Sequence, residues 1–382
     1  MNMTQDVSGA SGHPALFTPL RLGEMELPNR IVMAPLTRLR ASTDGMPTSL
    51  MTTYYRQRAS MGLIVTEGTW PVLEGRTWIG QPSISTTKQV DGWKRIADAV
   101  HDAGGRIAMQ IMHGGRVSHP SLTLSGRVVA PSAIAGPYPI RTPGGKAQAP
   151  IPHTLLENEI RQLVEQFVAA SRRAIDAGMD AVELHGANGY LIHQFFSPAA
   201  NRRHDTYGGS AENRARFAIE VTRAVAREIG GSRTAIRLSP ANPIQAMDEF
   251  NQADVQETYC SYARAVAPLG LAFLDILHED PKGSLVQAIR QYAGSPLIVN
   301  TGFQHLTTRE SAIAQMASGA GDAIGVGRAA IANPDLVDRW KAEYPLNVPD
   351  QMTFYTPGAH GYTDYPMTVS YTHLTLPTIC SV

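Results

Sequence analysis

Cysteine is almost missing from this chain: Cys260 and Cys380 are the two in 382 residues. Cys260 falls in a predicted helix and Cys380 among the last three residues, so a structural disulfide is not expected. An excess of charge of either sign is missing too. Lys and Arg number 33, Asp and Glu 33, which argues against a general nucleic-acid surface. No run approaches the ~18 uninterrupted apolar residues of a membrane span. The opening "MNMTQDVSGASGHPALF" lacks the apolar centre of a signal peptide. These absences predict a cytoplasmic protein that engages neither nucleic acid nor membrane. Repeats beyond a βα period, low-complexity blocks and domain linkers are also lacking.

What is present is an alternation. The hydrophobic fraction of 43% supports a sizeable core. Eight short apolar runs, rich in β-branched residues, each precede a longer amphipathic segment. They are "RIVMAP" (30–35), "GLIVTEG" (62–68), "RIAMQIM" (106–112), "DAVELHG" (180–186), "TAIRLS" (234–239), "AFLDILH" (272–278), "PLIVN" (296–300) and "DAIGVG" (322–327). Runs apolar on both faces suit parallel strands covered by helices. Helical candidates lie between them, among them 88–104 and 156–178, each ending in glycine, and 210–230, opened by Ser210 as N-cap. No Gly-rich dinucleotide fingerprint follows the first run. The pattern therefore predicts an α/β protein, a single (β/α)8 TIM barrel with loop insertions. The largest insertion, 113–154, follows strand three. Residues 1–14 read as a flexible N-terminal extension, 15–368 as the barrel, and 369–382 as a tail outside it.

In such a barrel the active site sits at the C-terminal strand ends. Strand one ends in Ala34, Pro35, Leu36 and Thr37, and strand two in Glu67 and Gly68. Strand three carries Gln110 and ends in Met112 and His113. Strand four ends in His185, Gly186, Asn188 and Tyr190; strand five carries Arg237. Strand six ends in His278 and Glu279. Strand seven ends in Asn300, Thr301 and Gly302, and strand eight in Gly325, Gly327 and Arg328.

Two chemistries can be read on this rim. "NTGF" and "GVGR" offer small residues where backbone N–H groups could approach a phosphate. Ordinary tight turns with surface arginines explain those glycines equally well. Gln110 and Arg237 are long polar side chains in otherwise apolar strands and need buried partners; a planar heterocycle with carbonyl and N–H edges would satisfy Gln110. His185 and Asn188 could both donate to one carbonyl oxygen and stabilise charge developing there. Tyr190 could then protonate the neighbouring carbon. Taken singly, a strand-end His is most often structural and a Tyr most often packing. No Cys, His or carboxylate set at metal spacing accompanies His185, so a zinc site is not expected. No Ser or Cys stands in a nucleophile elbow, and no lysine falls inside a strand run, which weakens a Schiff-base aldolase.

The stretches "NRIVMAPLTRLRA", "QIMHGGR", "VELHGANGYLIHQFFSPAANRRHDTYGGSAENRARF", "GVGRAAIANPDL" and "TFYTPGAHGYTDYP" resemble the Old Yellow Enzyme family of FMN-dependent ene-reductases, from about Ala15 to Pro366. The resemblance implies an FMN-binding barrel that takes hydride from NADPH or NADH. It then reduces the C=C bond of α,β-unsaturated carbonyl or nitro compounds by hydride transfer from flavin N5 and proton transfer from Tyr190. By position it implies that Pro35 and the Gly68 backbone line the flavin and that Thr37 bonds near its C4 carbonyl. Gln110 would bond the pyrimidine edge, and Arg237 would reach toward N1 and the ribityl chain. Gly302, Gly327 and Arg328 would hold the phosphate. Ala34, Leu36, His185, Asn300 and Gly325 complete the implied cofactor contacts. His185 and Asn188 would bind the substrate carbonyl. Tyr355 would cover the flavin edge and, with Trp78 and Met112, shape the substrate pocket.

Implied partners are enones, maleimides, nitroalkenes and nitrate esters, with the protein a monomer or homodimer. Three positions depart from the commonest pattern: Asn188 where some members carry His, Met112 where many carry Trp, and Trp78 where Tyr is commoner. The tail "VSYTHLTLPTICSV" (369–382) has no counterpart and reads as frameshift or vector-derived sequence. Rival readings are another FMN barrel, such as a 2-hydroxy-acid oxidase, and a non-catalytic flavin- or steroid-binding protein.

Overall fold

The computed structural model describes residues 14–368 apart from Leu124 and His305. Most of the expected N-terminal extension, and the whole 369–382 tail with Cys380, lie outside the described residues. Eight parallel strands close into a barrel: β1 (Ile31–Met33), β2 (Leu63–Val65), β3 (Ile107–Ile111), β4 (Ala181–Gly186), β5 (Thr234–Leu238), β6 (Phe273–Leu277), β7 (Leu297–Asn300) and β8 (Ala323–Val326). Each falls inside one of the eight apolar runs. Every strand residue is buried, as expected where helices cover one face and the barrel interior the other.

The outer ring contains α1 (Ser49–Arg56), α2 (Thr87–Asp102), α3 (Glu157–Asp176), α4 (Ala211–Ile229), α5 (Gln252–Val266), α6 (Ser284–Ala293), α7 (Arg309–Ala317) and α8 (Leu336–Ala342). Their ends follow local chemistry. Thr86 and Gln89 form a capping box at α2, and Ser210 Oγ accepts the Asn213 N–H at α4. Gly230 stops α4 and Gly294 stops α6, both at positive φ. Helix α1 was not apparent in the sequence, because "SLMTTYYR" has a weak helical preference. Packing holds it instead: Met51, Tyr54 and Tyr55 are fully enclosed. Trp93, Phe167, Phe217, Tyr259 and Trp340 lie in the same layer between strands and helices, each contributing roughly 1.5–3 kcal/mol or more by burial.

The N-terminal face is plugged by a hairpin, Leu20–Leu22 against Met25–Leu27. Leu22, Met25 and Leu27 pack onto Val32, Leu63, Val65 and Phe273 at the barrel bottom. Its turn needs Gly23: φ is +57°, and a Cβ there would sit 1.9 Å from the Ser232 carbonyl oxygen. The 113–154 insertion contains a hairpin, Ile140–Thr142 against Gly145–Ala147. A second pairing, Val129–Ala130 with His153–Thr154, returns the chain to α3. With one end plugged, the opposite rim is the place for chemistry.

Candidate active site

Strand β4 delivers the opening residues of the site. In a β-strand alternate residues share a face, so Glu183 and His185 point the same way, Glu183 deeper and His185 at the rim. After Gly186 the chain turns sharply. Asn188 adopts a left-handed conformation (φ +57°), which Asn tolerates better than most residues, and Gly189 follows at +79°. Tyr190 then stands immediately before a short helix, Leu191–Phe196. The turn is what brings three residues spaced over six positions to one spot. The His185 and Tyr190 ring centroids lie 5.2 Å apart, and the Trp78 ring meets Tyr190 edge-on at 5.9 Å.

Two buried polar atoms here have no hydrogen-bond partner among the described residues: His185 Nδ1 and Asn188 Oδ1. Such orphans are uncommon in native interiors and ask for a ligand or water. Burial pushes the His185 imidazolium pKa well below its usual value, with Arg237 and His193 adding repulsion. His185 is therefore a neutral hydrogen-bonding group at ordinary pH. Burial raises the Tyr190 phenol pKa, with the Tyr355 hydroxyl adding to it, so Tyr190 keeps its proton until a base develops beside it.

Beneath this rim lies a polar floor. Gln110 Nε2 donates to Glu183 Oε1 at 2.7 Å, and Arg237 Nη1 pairs with Asp275 Oδ2. Gln110 and Arg237 thus have the buried partners that their place in apolar strands called for, and Gln110 Oε1 accepts from no side chain or backbone group among the described residues. Glu183 and Asp275 were missed in the sequence. A carboxylate in the middle of each of the apolar runs "DAVELHG" and "AFLDILH" was the available signal.

The first two strand ends form a wall. Ala34 N–H bonds to the Val326 carbonyl, and Pro35, Leu36 and Thr37 are half-buried. Gly68 leaves open the space above Gln110: a Cβ there would press to 2.7 Å on Met112 Sδ and 3.4 Å on Gln110 Oε1. Met112 is itself buried. Opposite, Asn300 Nδ2 donates to the Gly325 carbonyl and Asn300 Oδ1 accepts the Gly302 N–H. Gly327 faces Leu36. Arg328 Nη2 reaches the Phe303 carbonyl at 2.9 Å, joining the loops after β7 and β8. The Gly302 N–H is thus occupied within the chain, whereas Arg328 is half-exposed with donors to spare.

The strap at 353–362 crosses the rim. Arg38 and Arg40, neither singled out from the sequence, bind the carbonyls of Thr353, Phe354, Gly358, His360 and Gly361. They hold half-exposed Tyr355 where its hydroxyl acts on Tyr190. No described helix is long and apolar enough to cross a membrane.

The model of the NADH:flavin oxidoreductase / NADH oxidase family matches residues 15–347. A probable flavin mononucleotide-dependent alkene reductase of Leishmania infantum is 43% identical over 364 residues, covering 92% of this chain and 97% of that protein. 12-Oxophytodienoate reductase 7 of Oryza sativa subsp. japonica is 36% identical, covering 92% of this chain and 94% of that protein. Among solved structures, an old yellow enzyme homologue from Zymomonas mobilis superposes with TM-score 0.87 at 40% identity, covering 93% of this chain and all of that one. Morphinone reductase in complex with tetrahydroNAD gives TM-score 0.87 at 39% identity, covering 94% of this chain and 99% of that one.

Proposed function

The chain belongs to the NADH:flavin oxidoreductase / NADH oxidase family, and from that premise we propose that it is an FMN-dependent, NAD(P)H-driven reductase of activated C=C bonds. The single observation that carries the reading is the pair of orphaned polar groups on His185 and Asn188 beside the protonated phenol of Tyr190. The reductase relatives leave the oxidase and simple binding readings without support.

The residues present fit FMN. The floor offers Gln110 Oε1 and the unshared donors of Arg237, and the open space at Gly68 admits a flat ring. Ala34, Pro35, Leu36 and Thr37 would flank that ring. Asn300, Gly302, Gly325, Gly327 and Arg328 would surround its phosphate, with Arg328 supplying the charge. Bound FMN supplies hydride chemistry, taking electrons from NADPH or NADH and passing them to the alkene.

The chain's own residues handle orientation and the proton. His185 through a ring N–H and Asn188 through its Nδ2 amide, not its acceptor Oδ1, hold the oxygen of an α,β-unsaturated carbonyl or nitro compound, stabilising the negative charge that grows there as hydride adds to Cβ. Neutral His185 donates one N–H without needing to be protonated. Tyr190 gives its hydroxyl proton to Cα. Trp78, Met112 and Tyr355 bound the space above and select by shape among enones, maleimides, nitroalkenes and nitrate esters. The test is direct. Purified protein should be yellow and release FMN on heating. Anaerobic NADPH or NADH should bleach it, and cyclohexenone should restore the colour. A colourless protein that gains no colour from added FMN would refute the reading.

A further inference from the structure

Two buried oxygens in the floor remain without partners among the described residues once the hydrogen bonds already described are drawn: Glu183 Oε2 and Asp275 Oδ1. Glu183 comes from β4, opposite Gln110 of β3, and Asp275 from β6, opposite Arg237 of β5. Both side chains are buried in the floor on either side of β5, each with one partnerless oxygen, and each bears on the ionisation of the other. As carboxylates both are acceptors only, so neither can satisfy the other. Two anions bearing on each other in a dry interior would also cost several kcal/mol. A single proton between them removes both difficulties.

Charge balance selects its position. The groups that bear on Glu183 are Asp275 and Arg237, with Gln110 the neutral neighbour and His185 two residues further along β4. Burial raises the Asp275 pKa too, but Arg237 pairs with it directly and opposes that shift, favouring its ionised form. Glu183 has no cation of its own, only the Gln110 amide at 2.7 Å. Burial, then the Asp275 charge, raises its pKa well above the usual carboxylate range. One cation, one anion and one neutral acid leave the floor uncharged.

We propose that Glu183 carries a proton at neutral pH and donates it to Asp275, making Gln110–Glu183–Asp275–Arg237 a neutral relay that positions the floor for its ligand. Glu183 Oε1 accepts from Gln110 Nε2, which turns Gln110 Oε1 toward the space at Gly68 as an acceptor for a ligand N–H. Asp275 holds one arm of Arg237 and leaves the others free. Glu183 and Asp275 are positioning residues: they act through Gln110 and Arg237. The link to the ligand rests on the FMN reading given above, but the shared proton does not.

The experiment separates the two. Infrared spectra of the protein stripped of flavin are recorded for the parent, Glu183→Gln and Asp275→Asn. The parent should show the C=O stretch of a protonated carboxylic acid, shifted in D2O, that both variants lack. Glutamine replaces the acid by an amide of the same shape. Asparagine removes the carboxylate that pairs with Arg237, so Glu183 ionises to take its place. Glu67, another buried carboxyl with a raised pKa, is common to all three and cancels in difference spectra. Absence of the band from the parent, or its persistence in both variants, would overturn the shared proton whether or not FMN binds.

The second readout is FMN affinity against pH. Loss of the proton adds a net negative charge beneath the ligand. The dissociation constant of the parent should therefore rise roughly tenfold as the pair ionises, against a flat response in Glu183→Gln. Equal pH responses would overturn the coupling to the ligand.

Discussion

His193 Nε2 lies 3.3 Å from Glu249 Oε1, with both side chains shut off from solvent. Gly189 N–H donates to His193 Nδ1 at 3.0 Å, so Nδ1 is the acceptor and Nε2 carries the proton toward Glu249. Ser239 Oγ, 3.4 Å from the same Nδ1, accepts the Asn188 N–H. Glu249 also receives the Tyr259 hydroxyl and the Ala241 N–H. The turn that carries Asn188 and Tyr190 is therefore fixed from behind by a buried acid about sixty residues further along the chain.

Glu249→Leu should loosen that turn. It strands the His193, Tyr259 and Ala241 donors, each costing about 1–3 kcal/mol when left unpaired. Cyclohexenone reduction should slow about tenfold or more, while reduction of the bound flavin by NADPH stays near normal. Glu249→Gln keeps an acceptor and should recover most of the loss. Stopped-flow measurement of the two half-reactions checks this. Equal slowing of both would mean that the network serves the fold and not the turn.

Tyr190→Phe removes one hydroxyl and little volume. The reductive half-reaction needs no proton from this residue and should be unaffected. The oxidative half-reaction with cyclohexenone should slow by at least ~10²-fold, the lower part of what a positioned acid contributes. Nitroalkenes should be less affected, because their anionic product is stable enough to leave and take its proton from water. Turnover of both substrate types, with the half-reactions resolved, tests the assignment. No slowing with cyclohexenone would make water or another residue the acid.

The barrel was legible because its signal is periodic and repeated. Eight apolar runs, buried on both faces, leave few alternatives to a closed parallel sheet. The rim was legible because strand ends are where a barrel keeps its chemistry, and His185, Asn188 and Tyr190 crowd one of them. What stayed hidden acts from a distance. Glu183 and Asp275 are single acids within apolar strands, and their partners Gln110 and Arg237 come from neighbouring strands. Glu249 sits in a loop and meets His193 only in the folded chain. Nothing in the sequence singles out Arg38 and Arg40, yet both are buried under carbonyls from residues more than three hundred positions away. Sequence spacing cannot reveal pairings that tertiary closure creates. Helix α1 was missed for the opposite reason: its local preference is weak, and burial of Met51, Tyr54 and Tyr55 decides it.

Arg40 gives a test of the strap. Its guanidinium binds the carbonyls of Thr353, Phe354, Gly358 and His360 and lies 4.7 Å from the Tyr362 ring centroid. Lysine cannot reproduce that fork. In Arg40→Lys, amide hydrogen exchange across 353–362 should accelerate by about tenfold or more, with β4 and β5 unchanged. KM for bulky enones should shift more than kcat for small ones, since Tyr355 bounds the pocket through this strap. Unchanged exchange in 353–362 would show that Arg38 alone holds it.

Glu159 offers a pH test away from the active site. Its Oε1 meets Arg127 at 2.8 Å, and Oε2 receives the Leu156 N–H and the His153 ring, both at 2.8 Å, at the start of α3. Burial opposes its ionisation. The Leu156 N–H, His153 and Arg127 outweigh burial and lower its pKa from 4.5 to about 2. A pKa depressed by folding means that the native state binds fewer protons than the unfolded chain at intermediate pH. The stabilisation is therefore complete above about 4.5 and drains away as pH falls toward about 2. The Arg127 and His153 side chains are each 40% exposed, so solvent screens the pairs and the cluster is worth about 1 kcal/mol. Spread over the unfolding entropy of a chain this long, that is roughly 1–2 °C in Tm. Glu159→Gln should melt below the parent by that margin at pH 7, and the gap should close as pH falls from 5 to 2. Thermal melts of both proteins across that range decide the matter: a gap that holds constant to pH 2 would mean that Glu159 contributes by shape alone and not by charge.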